Sequence, residues 1–180
     1  MRCPIIPPAL LFLGFSVAIA SPPPAEDPCA AFTWDVTHER TLFRQEAQNL
    51  PAGNAAAAAP DLATDRLYQL QLRAQTEVAF ATQPDKKPPD EGKTYAGLAS
   101  LTVATAGVYR IALDQAFWVD VIADDSLVQA RDFQGRPGCN APHKIVEFLL
   151  PAGKPITLQF SGGRVLTVKV SVTRSPGQTP

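Results

Sequence analysis

Residues 107–125 read "GVYRIALDQAFWVDVIADD" and contain the pattern that decides the fold. Apolar side chains recur at every second position in two runs, at Tyr109, Ile111, Leu113, Phe117, Val119 and Val121. Such alternation places successive side chains on opposite faces of an extended chain. The stretch therefore predicts two β-strands joined at "ALDQ", each with one apolar face, followed by a turn at "ADDS".

Similar alternating runs continue on both sides of this stretch, from Leu67 to Val172, and short segments rich in Gly, Pro, Asp and Ser separate them. The polar, proline-rich stretch 82–94 interrupts the runs and predicts a long exposed loop. Roughly seven or eight short strands with one polar face each are typical of an antiparallel β-sandwich, and a closed barrel is the alternative. The fold is therefore predicted as mainly β, an antiparallel β-sandwich over residues 67–174.

One amphipathic helix is predicted before the strands, over residues 35–48. Val36, Leu42 and Phe43 recur there at helical spacing and would share one side of the helix. Proline and glycine follow the helix, and the alanine-rich stretch 53–65 predicts a linker.

The first twenty residues predict a secretory signal peptide. Arg2 precedes an apolar run, and "AIA" (18–20) supplies a cleavage site of small residues. The run is too short and too interrupted by proline to span a membrane. Residues 21–66 are then a proline-rich lead-in, the helix and the linker, and 175–180 are predicted as a disordered tail. The mature protein is predicted to be periplasmic or secreted, and not to span the membrane.

The charge of the chain argues against several classes of partner. It has 16 Lys and Arg against 17 Asp and Glu, a formal net charge of −1, with no basic stripe. Nucleic acid and anionic membrane surfaces are therefore not expected as partners. The chain also has no phosphate-binding or dinucleotide-binding glycine motif and no G-x-S-x-G motif.

Cysteine usage predicts one disulfide bond. Removal of the signal peptide would leave only Cys29 and Cys139, and two cysteines in an oxidising compartment usually pair. Cys139 belongs to the loop "DFQGRPGCNAPHK" (132–144). A Cys29–Cys139 bond would therefore attach the start of the helix to this loop.

The same loop also suggests a metal site or an enzyme. His143 follows Cys139, and together with His38 they resemble a copper or zinc ligand set. The alternative function is therefore a metal-binding or metal-dependent enzyme, of cupin-like oxygenase type, using His38, His143 and nearby carboxylates. The predicted disulfide removes the thiolate, however, and cupin-type sites use more histidines than the two present here. No cofactor and no catalytic residue are therefore predicted.

The alternation of side chains in the quoted stretch also indicates a candidate binding surface. If Val119 faces the core, Trp118 and Asp120 point away from it, and Arg110 does the same on the preceding strand. Together with His143, these side chains would form a platform on which a sugar could stack. We expect instead that the apolar side of the helix packs on Trp118, because an uncovered tryptophan is unfavourable.

Two segments of the chain have counterparts in exported bacterial proteins. These segments are the strand "GVYRIAL" and the hairpin "LPAGKPITL". The positions that matter for the comparison are Gly107, Tyr109, Ile111, Leu113, Gly153 and Leu158. Over residues 98–172 the pair resembles secreted β-sandwich modules, such as pre-peptidase C-terminal-type and jelly-roll carbohydrate-binding domains. The resemblance implies a jelly-roll-like fold and an exported context, and it transfers no functional residues.

The predicted function is a non-catalytic accessory or binding protein of the bacterial envelope. Its partner would be an envelope protein or a glycan. A structural envelope protein without a small ligand is a third possibility, besides the metal-dependent enzyme.

Overall fold

Strands dominate the chain, as the alternating sequence predicts. The computed structural model describes residues 27–87 and 90–177. The predicted signal peptide (1–20) lies outside the described residues. Over the described residues, the strands are β1 (Gln48–Pro51), β2 (Asp61–Leu62), β3 (Leu67–Gln71), β4 (Arg73–Ala74), β5 (Tyr95–Leu101), β6 (Gly107–Leu113), β7 (Trp118–Ala123), β8 (Ser126–Val128), β9 (Ala130–Gly135), β10 (Lys144–Leu150), β11 (Ile156–Gly163) and β12 (Thr167–Arg174).

Helical structure is sparse by comparison. The α-helix of the described residues is α1 (Thr37–Leu42), and short 3-10 helices lie at Pro28–Ala31, Ala56–Ala58, Gln75–Glu77 and Glu91–Lys93. Within the two described ranges, no helix is both long enough and apolar enough to cross a membrane.

The strands form two open sheets. The first sheet has the order β1-β3-β12-β6-β10-β9, and the second has the order β2-β5-β11-β7-β8, with β4 also paired to β5. Neighbouring strands run antiparallel, except that β1 is parallel to β3 and β2 is parallel to β5. The consecutive strands β6 and β7 therefore belong to different sheets.

The apolar positions of the alternating runs form the core. One hydrophobic cluster takes Ile111 from the first sheet and Val119 and Phe160 from the second, among other buried side chains. Phe160 and Ile111 are fully buried. Burial of each such side chain stabilises the fold by about 1.5–3 kcal/mol, so this cluster is the main source of stability.

Two turns explain where the chain reverses direction. Asp124 and Asp125 connect β7 to β8 with φ angles of 49° and 56°, a left-handed conformation that Asp tolerates better than most residues. Gly153 has a φ of 68° between β10 and β11, where glycine has no steric penalty. Gly107, in contrast, is the first residue of β6 and not a turn residue.

The helix is shorter than predicted and packs elsewhere. It ends at Leu42 rather than continuing to residue 48. Its neighbours Val36 and Phe43 pack against Leu67 and Ile145 of the first sheet. The expectation that the helix covers Trp118 is therefore wrong, because Trp118 belongs to the second sheet.

The segment between the helix and β3 is part of the sheets. β1 and β2 lie within the range predicted as helix end and linker, and each adds a parallel strand. Gly53 is buried and bridges to Leu98 of β5. At the other end of the chain, Ser175 is buried and donates a hydrogen bond to Glu147, so the fold extends one residue into the predicted tail.

Candidate binding site

An open cavity of about 470 Å³ lies beside Trp118, where β7 begins. Its walls come from the loop before β5 and from the ends of β7, β9, β10 and β11. The side chains that matter for its chemistry are Lys86, Trp118, Phe133, His143, Lys144 and Ser161. Among the described residues, three lysines and no Asp or Glu line the cavity, although the whole chain is slightly acidic.

The indole of Trp118 is the centre of the site. The Nζ atoms of Lys86 and Lys144 lie 5.3 and 5.0 Å from its ring centroid, within the range of cation–π attraction. Its Nε1 donates a hydrogen bond to Asp120 Oδ1 at 2.7 Å. The ring is only half-buried, so these contacts fix its orientation and leave part of it at the cavity.

The alternation of β7 and β11 explains the position of Asp120. In the antiparallel register Asp120 stands opposite Gln159, on the side of the second sheet away from the core. Gln159 Nε2 donates to Asp120 Oδ2 at 3.3 Å, and Gln159 Oε1 accepts hydrogen bonds from the backbone amides of Ala81 and Thr82. Gln159 therefore anchors the loop that brings Lys86 to the cavity.

Burial changes the proton affinity of two charged groups here. It raises the pKa of Asp120, with hydrogen bonds from Trp118 and Gln159 acting in the opposite direction. Burial also lowers the pKa of Lys144, and the nearby positive charge of Lys86 adds to this effect. Perturbed groups beside an open cavity are typical of functional sites.

Ser161 supplies an unsatisfied hydroxyl at the same place. It stands opposite Trp118 in the β11–β7 register and is fully buried. Its Oγ has no hydrogen-bond partner among the described residues, and it lines the cavity. Buried hydroxyls without partners are unfavourable, so Ser161 has an unused hydrogen-bonding capacity beside the cavity.

Phe133 extends the apolar part of the site. This side chain of β9 is 65% exposed although it is large and aromatic. It also lines a second cavity of about 400 Å³, which shares Trp118 with the first. The two aromatic side chains therefore flank a surface that is longer than either cavity alone.

His143 reaches the cavity through the disulfide-linked loop. The sequence prediction that Cys29 and Cys139 pair is confirmed by their disulfide bond. His143 Nδ1 donates to the carbonyl oxygen of Cys139 at 3.2 Å, and its backbone amide donates to the carbonyl of Leu113. The disulfide thus helps to hold the histidine at the rim of the cavity.

Arg110 is placed differently from the sequence prediction. It lies on β6 of the first sheet, where its Nε donates to Glu147 Oε1 at 2.9 Å and its Nη1 donates to the carbonyl of Asp35 at 2.7 Å. The guanidinium also lies 4.8 Å from the ring centroid of Trp34. The expectation that Arg110 stands beside Trp118 is wrong, because parity along the chain does not tell which sheet a strand joins.

The two histidines of the metal hypothesis have separate partners. His38 Nε2 donates to Asp65 Oδ1 at 2.7 Å, whereas His143 bonds to the backbone of its own loop. Across the described ranges, no group of three or more His, Cys, Asp or Glu side chains is placed to hold a metal ion. Cys139 is oxidised and supplies no thiolate.

Sequence reasoning found Trp118, Asp120 and His143 but missed their neighbours. Lys86 belongs to the polar loop 82–94, whose sequence predicts only exposure to solvent. Lys144 is the first residue of a strand, and a lysine at that position does not by itself indicate a binding site. The one unusual signal is the pair of adjacent lysines in "DKKPPD", and it does not indicate which strand they approach.

Comparison with known proteins adds no family to these observations. Neither the protein-family models nor the curated proteins that were searched give a match to this chain.

Proposed function

We propose that this protein is an exported, non-catalytic binding module, built as an antiparallel β-sandwich of jelly-roll-like form, that binds a glycan beside Trp118. The observation that carries the proposal is a half-buried tryptophan and an exposed phenylalanine at an open cavity. Ligand sites are usually concave, mostly apolar and equipped with a few polar groups. The flat apolar face of a sugar ring matches the aromatic side chains, and its hydroxyls match the polar groups.

The sandwich arrangement is supported by the shared core. Ile111 and Phe148 of the first sheet belong to the same hydrophobic cluster as Val121 and Phe160 of the second. Two sheets that bury one set of alternating side chains together are the usual way for such a fold to cover its apolar faces. The cavity beside Trp118 would then lie at one open edge of the sandwich, next to the edge strand β9.

Export is supported by the disulfide and by the N-terminal sequence. A Cys29–Cys139 bond is compatible with an oxidising compartment such as the periplasm or the extracellular space. The predicted signal peptide would deliver the chain there. An envelope glycan is therefore the class of partner that the protein would meet.

The proposal predicts that Trp118→Ala strongly weakens glycan binding. Loss of the stacking surface should weaken binding about tenfold or more, which corresponds to roughly 1.4 kcal/mol. The purified protein is screened on an array of bacterial and plant glycans, and the affinity for the best ligand is then measured by calorimetry.

Trp34→Ala is the matched control, because Trp34 is the second half-buried tryptophan with a cation over its ring. It should lower stability and leave the affinity essentially unchanged. The proposal is overturned if no glycan binds to the wild type, or if both variants weaken binding equally.

A further inference from the structure

Two positive charges share one aromatic ring in this cavity. The Nζ atoms of Lys86 and Lys144 lie at similar distances from the Trp118 ring, 5.3 and 5.0 Å. Both ammonium groups therefore place positive charge beside the same indole, which favours an anion there. Among the described residues, no carboxylate oxygen lies within 4.0 Å of either ammonium group.

One candidate counter-ion, Asp120, is already engaged. Asp120 accepts hydrogen bonds from Trp118 Nε1 and from Gln159 Nε2. Burial raises the pKa of Asp120, and its carboxylate acts on Lys144 by raising the pKa of that lysine. Asp120 therefore lies near the lysines, but it forms no direct ion pair with either ammonium group among the described residues.

Lys144 is held in place rather than free to move into solvent. Its side chain is partly buried, and its Nζ donates to the carbonyl oxygen of Phe117 at 3.2 Å. Burial and the charge of Lys86 lower the pKa of Lys144, whereas the charge of Asp120 raises it. An anion bound beside Lys144 would add a further favourable charge contact.

The surroundings match a sugar acid better than a simple ion. Ser161 Oγ, buried and without a partner among the described residues, offers a hydrogen bond next to the indole. Trp118 and Phe133 provide apolar surface. A small inorganic anion would use the lysines and leave these aromatic surfaces uncovered.

We propose that the ligand is an acidic glycan, with a uronic acid carboxylate bound between Lys86 and Lys144 and its sugar ring against Trp118. The inference rests on the proposed function and adds the chemical class of the ligand. Charge complementarity is the main support for this inference. Among the described residues, three lysines and no acidic side chain line the cavity, in a chain whose net charge is −1.

The test compares an oligogalacturonate with its methyl ester of the same length, by calorimetry on the full protein. The acid should bind about tenfold more tightly than the ester, and the preference should shrink as salt is added, because salt screens charge. Lys144→Met should abolish the preference, and Lys86→Gln should weaken it. Lys154→Gln, a lysine paired with Asp124 outside the cavity, should change nothing.

A second measurement shows that Lys144→Met still folds. Removing a buried charge should leave the melting temperature at neutral pH unchanged or higher. Because the pKa of Lys144 is lowered in the folded state, the unfolded state binds more protons between that lowered pKa and 10.5. Wild-type stability should therefore rise with pH through this window relative to the variant.

Three outcomes would overturn the inference. Equal affinity for acid and ester, with Trp118→Ala still weakening binding, leaves the proposed function intact and removes the acidic ligand. Full competition by inorganic phosphate or sulfate at concentrations equal to that of the oligogalacturonate means that the site binds an adventitious ion only. Failure of acid, ester and every arrayed glycan to bind removes both proposals together.

Discussion

Replacing Arg110 with alanine should lower the free energy of unfolding by about 3–5 kcal/mol. The guanidinium lies between two buried carboxylates, at 2.9 Å from Glu147 Oε1 and 3.5 Å from Glu39 Oε1. Removing it leaves both carboxylates buried without a positive partner, which is far more unfavourable than losing a surface ion pair. Urea denaturation of the wild type and the variant measures the difference.

Arg40→Ala is the matched control, since Arg40 of α1 pairs with Asp27 at the surface. Its effect should be several-fold smaller. Adding Glu39→Gln to Arg110→Ala should restore part of the lost stability, because it removes one of the two uncompensated charges. Equal losses for the two arginine variants would contradict a buried ion-pair cluster at this position.

This cluster explains how the short helix is attached. Glu39 of α1 accepts a hydrogen bond from Thr173 Oγ1 of β12 at 2.7 Å, in addition to its contact with Arg110. A helix of six residues is too short to be stable by itself, so tertiary contacts must hold it. The Arg110→Ala variant should therefore also release α1 from the first sheet.

Removing the disulfide should be the second large effect. The double variant Cys29→Ser, Cys139→Ser should lose about 2–4 kcal/mol, and the chain-entropy model sets an upper figure of about 4–5 kcal/mol for a loop of this length. The two cysteines are separated by 110 positions, so the crosslink restricts most of the unfolded chain. Urea denaturation with and without a thiol reductant measures the loss.

The reductant provides the control, because it should destabilise the wild type and leave the double variant unchanged. Affinity for glycan should fall as well, since the bond anchors the loop that carries His143 to the cavity. Identical denaturation midpoints for the oxidised and reduced wild type would show that the bond does not contribute to stability.

The sequence predicts the strands well because their signal is local. Alternation in the quoted stretch places Tyr109 and Val119 in the core and turns Trp118 and Asp120 away from it, as observed. The Cys29–Cys139 bond was also predictable, since removal of the predicted signal peptide would leave no other intramolecular pair.

Non-local pairing accounts for what the sequence does not predict. Nothing near Gln48 indicates that the chain leaves the helical pattern to form β1, which is stabilised by pairing with β3. Similarly, the assignment of β6 and β7 to different sheets separates Arg110 from Trp118. These outcomes depend on partners distant in sequence, which a window of residues does not contain.

The lysines of the site illustrate the same limit. Lys86 approaches Trp118 because the backbone at Ala81 and Thr82 bonds to Gln159, which is more than seventy positions away. Lys144 approaches it from the other sheet. A charged pocket assembled from such distant segments has no signature in any single stretch of the chain.

A nitrogen–proton correlation spectrum during titration with hexagalacturonate tests directly whether a glycan binds in the cavity beside Trp118. The chain has two tryptophans, Trp34 and Trp118, so the indole region should contain two signals that single substitutions assign. The account predicts that the Trp118 indole signal and the backbone signals of Phe133 and Ser161 shift with added ligand, while the Trp34 indole signal stays in place. Shifts centred on Trp34, or no shift at any ligand concentration, would contradict a glycan site in the cavity beside Trp118.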